Sequence, residues 1–123
     1  MNKKSDKILL INLISSEPAN VGKALRMGRK FLAAGWDVTL FLNVDGVGVL
    51  DSKIGGALCP IAGKPLSVLL EGFLGEGGNG LAGAECLKLL GLDTDRLPAR
   101  MGIAEFPLVE ELLSRPGIRI MTW

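Results

Sequence analysis

The chain alternates between short continuous apolar runs and longer segments whose apolar residues recur at helical spacing. Ile8-Leu9-Leu10-Ile11-Asn12-Leu13 lacks in-out alternation, the pattern of a strand covered on both faces. Pro18 suits a first helical position. Val21, Ala24, Leu25, Gly28, Phe31 and Leu32 then follow i, i+3, i+4, i+7 spacing, while Lys23, Arg26, Arg29 and Lys30 fill the other face. Gly35 is the natural stop for that helix. Asp37-Val38-Thr39-Leu40-Phe41-Leu42-Asn43 reads as a second buried strand, so the chain opens as a βαβ unit.

Residues 44–63 are rich in Gly and small side chains and read as a long loop, which at that length is more often functional than idle. Pro65 opens a helix whose buried face is Leu66, Leu69, Leu70 and Phe73, ended by Gly75-Glu76-Gly77-Gly78-Asn79-Gly80. A short strand over residues 81–84 leads to a helix through Cys86, Leu87, Leu89 and Leu90 that stops at Gly91. Residues 98–103 form a fourth strand, Phe106, Val109, Leu112 and Leu113 a further helix, and residues 118–123 a last strand. Parallel neighbours need crossover helices, so this alternation predicts a three-layer α/β domain with a mostly parallel, about five-stranded sheet. Residues 8–123 form one domain after a short flexible N-terminus of residues 1–7.

Composition narrows the chemistry. With 123 residues, 48% of them hydrophobic, the chain can bury a core without disulfides or a structural metal. It contains no His, so no Ser-His or Cys-His pair, imidazole base or His-based zinc site is available; neither a metal nor a cofactor is expected. Its net charge of +1, with both signs mixed along the chain, gives no basic stripe for nucleic acid. The longest run without a charge, Ile54 to Gly63, is ten residues, against the ~20 a membrane span needs. The start of the chain does not read as a signal peptide. The 2 cysteines are therefore expected to be free thiols in the cytoplasm.

In a parallel sheet the ligand site lies beyond the carboxyl ends of the strands. Both Cys59 and Cys86 fall in segments expected there, although each also reads plainly as a small buried hydrophobe. Placed in the first turn of a helix, Cys86 would favour a thiolate, with the neighbouring Glu85 opposing it. Ser15, Asn43 and Asp45 follow the first two strands and are candidates for orienting a ligand; Ser15 and Asn43 serve equally well as helix caps. Gly75, Gly77 and Gly80 spell G-x-G-x-x-G, but a dinucleotide site would need a strand before them, where the spacing gives a helix.

Several segments taken together resemble the DsrE/DsrF-like family. These are Ala24-Leu25-Arg26-Met27, Val38 to Asn43 with Asp45-Gly46-Val47, Cys86-Leu87-Lys88-Leu89-Leu90-Gly91-Leu92 and Ile120-Met121-Thr122-Trp123. The resemblance covers residues 8–123. It implies a flavodoxin-like or Rossmann-like domain, a homo-oligomer (trimer or hexamer), and a cysteine that accepts persulfide sulfur from a donor protein and passes it to an acceptor protein. Many relatives carry C-x-x-C-L-K, with the acceptor at the first cysteine. That position is Gly83 here and the second is Cys86. Three readings follow: Cys86 accepts the sulfur, Cys59 does, or the chain is a non-catalytic binding or scaffold module with structural cysteines.

Overall fold

The computed structural model describes residues 6–123; residues 1–5 of the expected N-terminal segment lie outside them. Five strands are present: β1 (Ile8–Leu13), β2 (Asp37–Leu42), β3 (Asn79–Ala82), β4 (Met101–Ile103) and β5 (Ile118–Thr122). They form one sheet in the order β4-β3-β2-β1-β5, and every pairing is parallel. The helices are α1 (Pro18–Ala33), α2 (Ser52–Gly55), α3 (Leu66–Gly75), α4 (Ala84–Leu89) and α5 (Phe106–Leu113). The three-layer α/β class expected from the alternation of elements is the class observed.

The two faces of the sheet are covered unequally. Crossovers from β1 to β2, β3 and β4 all step toward one edge, and right-handed connections stepping the same way put their helices on the same face. Leu9, Ile11 and Leu13 of β1 and Val38, Leu40 and Leu42 of β2 accordingly share one core with Val21, Ala24 and Leu25 of α1, Leu69, Leu70 and Phe73 of α3, and Leu87 of α4. Only the β4-to-β5 crossover steps the other way, so α5 alone covers the opposite face. There the buried cluster is small: Ile8, Leu10 and Leu112.

Two expectations about local structure are revised. Residues 44–63 are not plain loop. Val44–Leu50 winds as a 3₁₀ turn and Ser52–Gly55 as α2, with Val47 and Val49 buried; Asp51 caps α2 by accepting the Lys53 N–H at 3.0 Å. The third strand begins at Asn79, inside the glycine segment, because Gly80 presents only hydrogen to Met101: a Cβ there would stand 2.7 Å from the Met101 side chain.

Helices α1 and α3 meet through a large-into-small fit. Phe73, fully buried, lies over Gly28, where a Cβ would come within 2.7 Å of its ring, and against Gly78, where the distance would be 2.4 Å. At the edge of this contact the Arg29 guanidinium pairs with Glu76. We expect Phe73→Ala to cost about 3–5 kcal/mol in urea unfolding, the range for emptying a buried aromatic site. Gly28→Ala, which overfills the same site, should cost ~1–3 kcal/mol, and less in a Phe73→Leu background; additive costs would show that the two do not share space. The hydrogen bond from Arg29 holds the Glu76 carboxyl below the usual carboxylate range. Its contribution is thus present above the unfolded-state value of about 4.3 and fades as pH falls through the lower folded value. The small Tm advantage over Glu76→Gln at neutral pH should vanish in acid.

Candidate functional site

The carboxyl end of β2 sets up the site. After Leu42 the chain must enter the 3₁₀ turn at once, and Gly46 presses so closely on β1 that a Cβ would stand 1.9 Å from the Leu13 carbonyl oxygen. Asn43 stays paired to β1, its N–H donating to that same oxygen at 3.0 Å, and its own carbonyl accepts the Gly46 N–H at 2.8 Å. Val44, between them, is driven to φ +52. A β-branched residue there is a true outlier costing on the order of 1–2 kcal/mol, a strain that clusters at functional positions.

The strained peptide points its N–H at sulfur. Val44 N donates to Cys86 Sγ at 3.2 Å and to Asn43 Oδ1 at 3.1 Å. The Cys86 thiol in turn faces Asn43 Oδ1 at 3.8 Å. Cys86 stands in the first turn of α4, which has only six residues, so the sulfur's surroundings are set by the Asn43-Val44 peptide and not by a long helix. Gly83, in extended conformation, leads into α4; a Cβ there would lie 3.3 Å from Cys86 Sγ. Positions 83 and 86 therefore open on the same space.

That space is a cleft of about 390 Å³. Asn43, Gly83, Glu85 and Cys86 form its polar side, and Phe41, Phe106 and Val109 its apolar side. Phe106, the first residue of α5, is 73% exposed and forms an apolar rim. Cys86 is half-buried and a free thiol, so it is held by packing yet reached from the cleft. It can receive a small group or a narrow chain segment on sulfur, with a backbone donor already aimed at that atom.

The other residues singled out from sequence are placed differently. Cys59 is 1% exposed and seats its sulfur over Gly22 of α1, where a Cβ would approach to 2.3 Å. It fills a helix notch in the core and does not line the Cys86 cleft. Ser15 Oγ accepts the Glu17 N–H at 3.0 Å and the Asn20 Nδ2–H at 3.2 Å, a turn just before α1; the N-cap is Glu17, so Ser15 does not cap the helix. Asp45 is exposed at the start of the 3₁₀ turn, one residue beyond the strained peptide. Asn43 is the one of the three that touches Cys86. The glycine segment joins the end of α3 to β3, the reverse of the strand-to-helix order a dinucleotide fingerprint requires. Val44, Phe106 and Val109 were not foreseen as site residues. The sole sequence signal for them was the position of their segments at strand carboxyl ends.

No family model matches the chain, and no curated protein matches it by sequence. Solved structures do match by shape. The YchN protein from E. coli superposes with a TM-score of 0.71 at 17% identity, over 95% of this chain and 98% of that one. MTH1491 from Methanobacterium thermoautotrophicum, described as a protein of unknown function, gives 0.70 at 15% identity, over 95% and 99%. The fold of this chain is thus a YchN-like α/β fold across nearly the whole length of both neighbours.

Proposed function

We propose that Cys86 is the sulfur-accepting thiol of a DsrE-type carrier, taking persulfide sulfur from a donor protein and passing it to an acceptor. The observation that carries this reading is the Val44 N–H aimed at Sγ from a strained peptide inside an open cleft. A backbone donor fixed at that atom stabilises the thiolate that attacks the donor and that is released again when the sulfur is passed on.

The step needs no histidine. The Cys86 thiol first releases its proton to water past Asn43. Its thiolate then attacks the outer sulfur of the donor R-S-SH; the new Cys86 S–S bond forms as the donor S–S bond breaks, and R-S⁻ leaves with the electron pair. The sulfane proton is shed to solvent, giving Cys86-S-S⁻. An acceptor thiolate attacks the outer sulfur in turn and Cys86 departs as thiolate. Sulfur moves without net oxidation, so no redox partner is required. Gly83, at the relatives' usual acceptor position, leaves the cleft with one thiol, and Cys86 reaches the same space from one helical turn further on. A free thiol in this role suits a reducing compartment, hence the cytoplasm; no helix of the described residues is long and apolar enough to cross a membrane.

We further infer a homo-oligomer, a trimer or hexamer, built on the face that α5 leaves bare. Ile120 of β5 is 54% exposed there, Ile14 extends the patch beyond β1, and Asn12 Oδ1 is buried without a hydrogen-bond partner between them. A donor from a second copy would satisfy it.

Incubation with a low-molecular-weight persulfide followed by mass spectrometry should find one added sulfur atom on Cys86. The adduct should survive in Cys59→Ala and disappear in Cys86→Ser; an adduct on Cys59, or none on wild type, overturns the reading. Light scattering should give a mass three or six times that of the chain, lowered by Ile120→Asp, whereas a wild-type monomer at micromolar concentration would contradict the assembly.

A further inference from the structure

The α5 face of the sheet holds a second cleft at the opposite end of α5, over β2 and β3 and apart from the β1–β5 patch. Thr39, Asn79 and Leu81 form its floor and Leu108, Glu111, Leu112 and Arg115 its wall, around a volume of about 210 Å³. Its most telling residue is Thr39. It is 7% exposed, the single buried polar side chain among the described residues, and sits in a strand that after Asp37 is otherwise built of Val, Leu and Phe. Its hydroxyl has no hydrogen-bond partner among the described residues. Asn12 Oδ1 is the one fully buried polar side-chain atom without a partner among the described residues, so the Thr39 oxygen is reached from the cleft and stands open to a ligand there.

The surrounding groups define what that partner carries. Asn79 uses Oδ1 to accept from Arg100 Nη2 at 3.2 Å, which leaves its amide N–H groups to donate. Arg115 holds Asp37 through Nη1 at 3.0 Å and has further guanidinium N–H groups. Together with the Thr39 hydroxyl these are donors suited to a carboxylate. Glu111 is in no ion pair among the described residues, and supplies the opposite charge for an ammonium group. Leu81, Leu108 and Leu112 leave an aliphatic surface between the two. The volume lies below the roughly 300 Å³ at which sites for drug-sized ligands begin, which suits a small ligand.

We propose that this cleft binds a small aliphatic α-amino acid, its carboxylate toward Thr39, Asn79 and Arg115, its ammonium toward Glu111 and its side chain among the leucines. This site is independent of Cys86 and stands whether or not that thiol carries sulfur.

Methyl NMR of the full chain, titrated with L-leucine, 3-methylbutylamine and 4-methylpentanoate, tests the assignment. L-leucine should shift the Leu81, Leu108 and Leu112 methyl resonances with a Kd of about 1 mM, as befits so small a ligand. Each analogue lacks one charge and should bind about tenfold more weakly. Thr39→Val, which keeps the side-chain shape, should weaken leucine by about tenfold. Glu111→Gln, an exposed change that leaves the fold intact, should weaken leucine and leave 4-methylpentanoate unchanged. The proposal is overturned if leucine moves none of these resonances, if the three compounds bind alike, or if Glu111→Gln leaves leucine binding as it was.

Discussion

The handedness of crossovers governs this molecule more than any single contact. Three successive connections from β1 to β4 step toward one edge, so α1, α3 and α4 crowd onto one face and fill it with the interlocking core around Phe73. The other face receives α5 and nothing else from the crossovers. An eight-residue helix cannot cover five strands, and it leaves an apolar patch over β1 and β5 and a cleft at each end of α5. Phe106 and Val109 wall one cleft, while Leu108, Glu111 and Leu112 wall the other. A shift of this one helix would reshape both.

The Cys86 cleft depends on a second constraint nested in the first. Gly46 can approach the Leu13 carbonyl only because it lacks a side chain, and that approach forces the turn after β2 to reverse within three residues. The cost falls on Val44, whose left-handed backbone is tolerated because Asn43 and Gly46 are fixed by hydrogen bonds on either side. Strain thus falls on the one peptide whose N–H is turned toward Cys86 Sγ, from a strand other than the one that leads into Cys86's helix.

How far all this was legible in the sequence follows from the range of the interactions. β1, β2, α1 and α3 announce themselves through uninterrupted apolar runs or helical spacing, because burial on one or both sides is written locally. The parallel sheet follows from the order of those elements. The 3₁₀ turn and α2 did not show, since glycine-rich segments carry no periodicity, and their turns are held by contacts to Leu13, Ser16 and Val49 that only the fold supplies. Of the two cysteines, sequence favours Cys86 by its place in a helix's first turn but leaves the burial of Cys59 open for the same reason. What separates them is Gly22 under Cys59 and the Asn43-Val44 peptide beside Cys86, each far away in the chain. Thr39, embedded in an apolar strand, gave no sign that its hydroxyl faces a cleft.

The absence of histidine, which at first only subtracts chemistry, fits the site that remains. Moving a sulfane sulfur from thiol to thiol requires a nucleophile, a leaving group of the same kind, and stabilisation of charge on sulfur at both stages. A general base would have to be protonated and deprotonated in step with each partner; a backbone N–H does not titrate and favours the Cys86 thiolate both as it attacks the donor and as it leaves to the acceptor. The Val44 donor supplies that constant, and the open apolar rim at Phe106 leaves room for a partner's chain to bring the second thiol. One cysteine in a cleft that holds no histidine is therefore a sufficient arrangement for carrying sulfur, provided that the donor presents its own persulfide and the acceptor its own activated thiol.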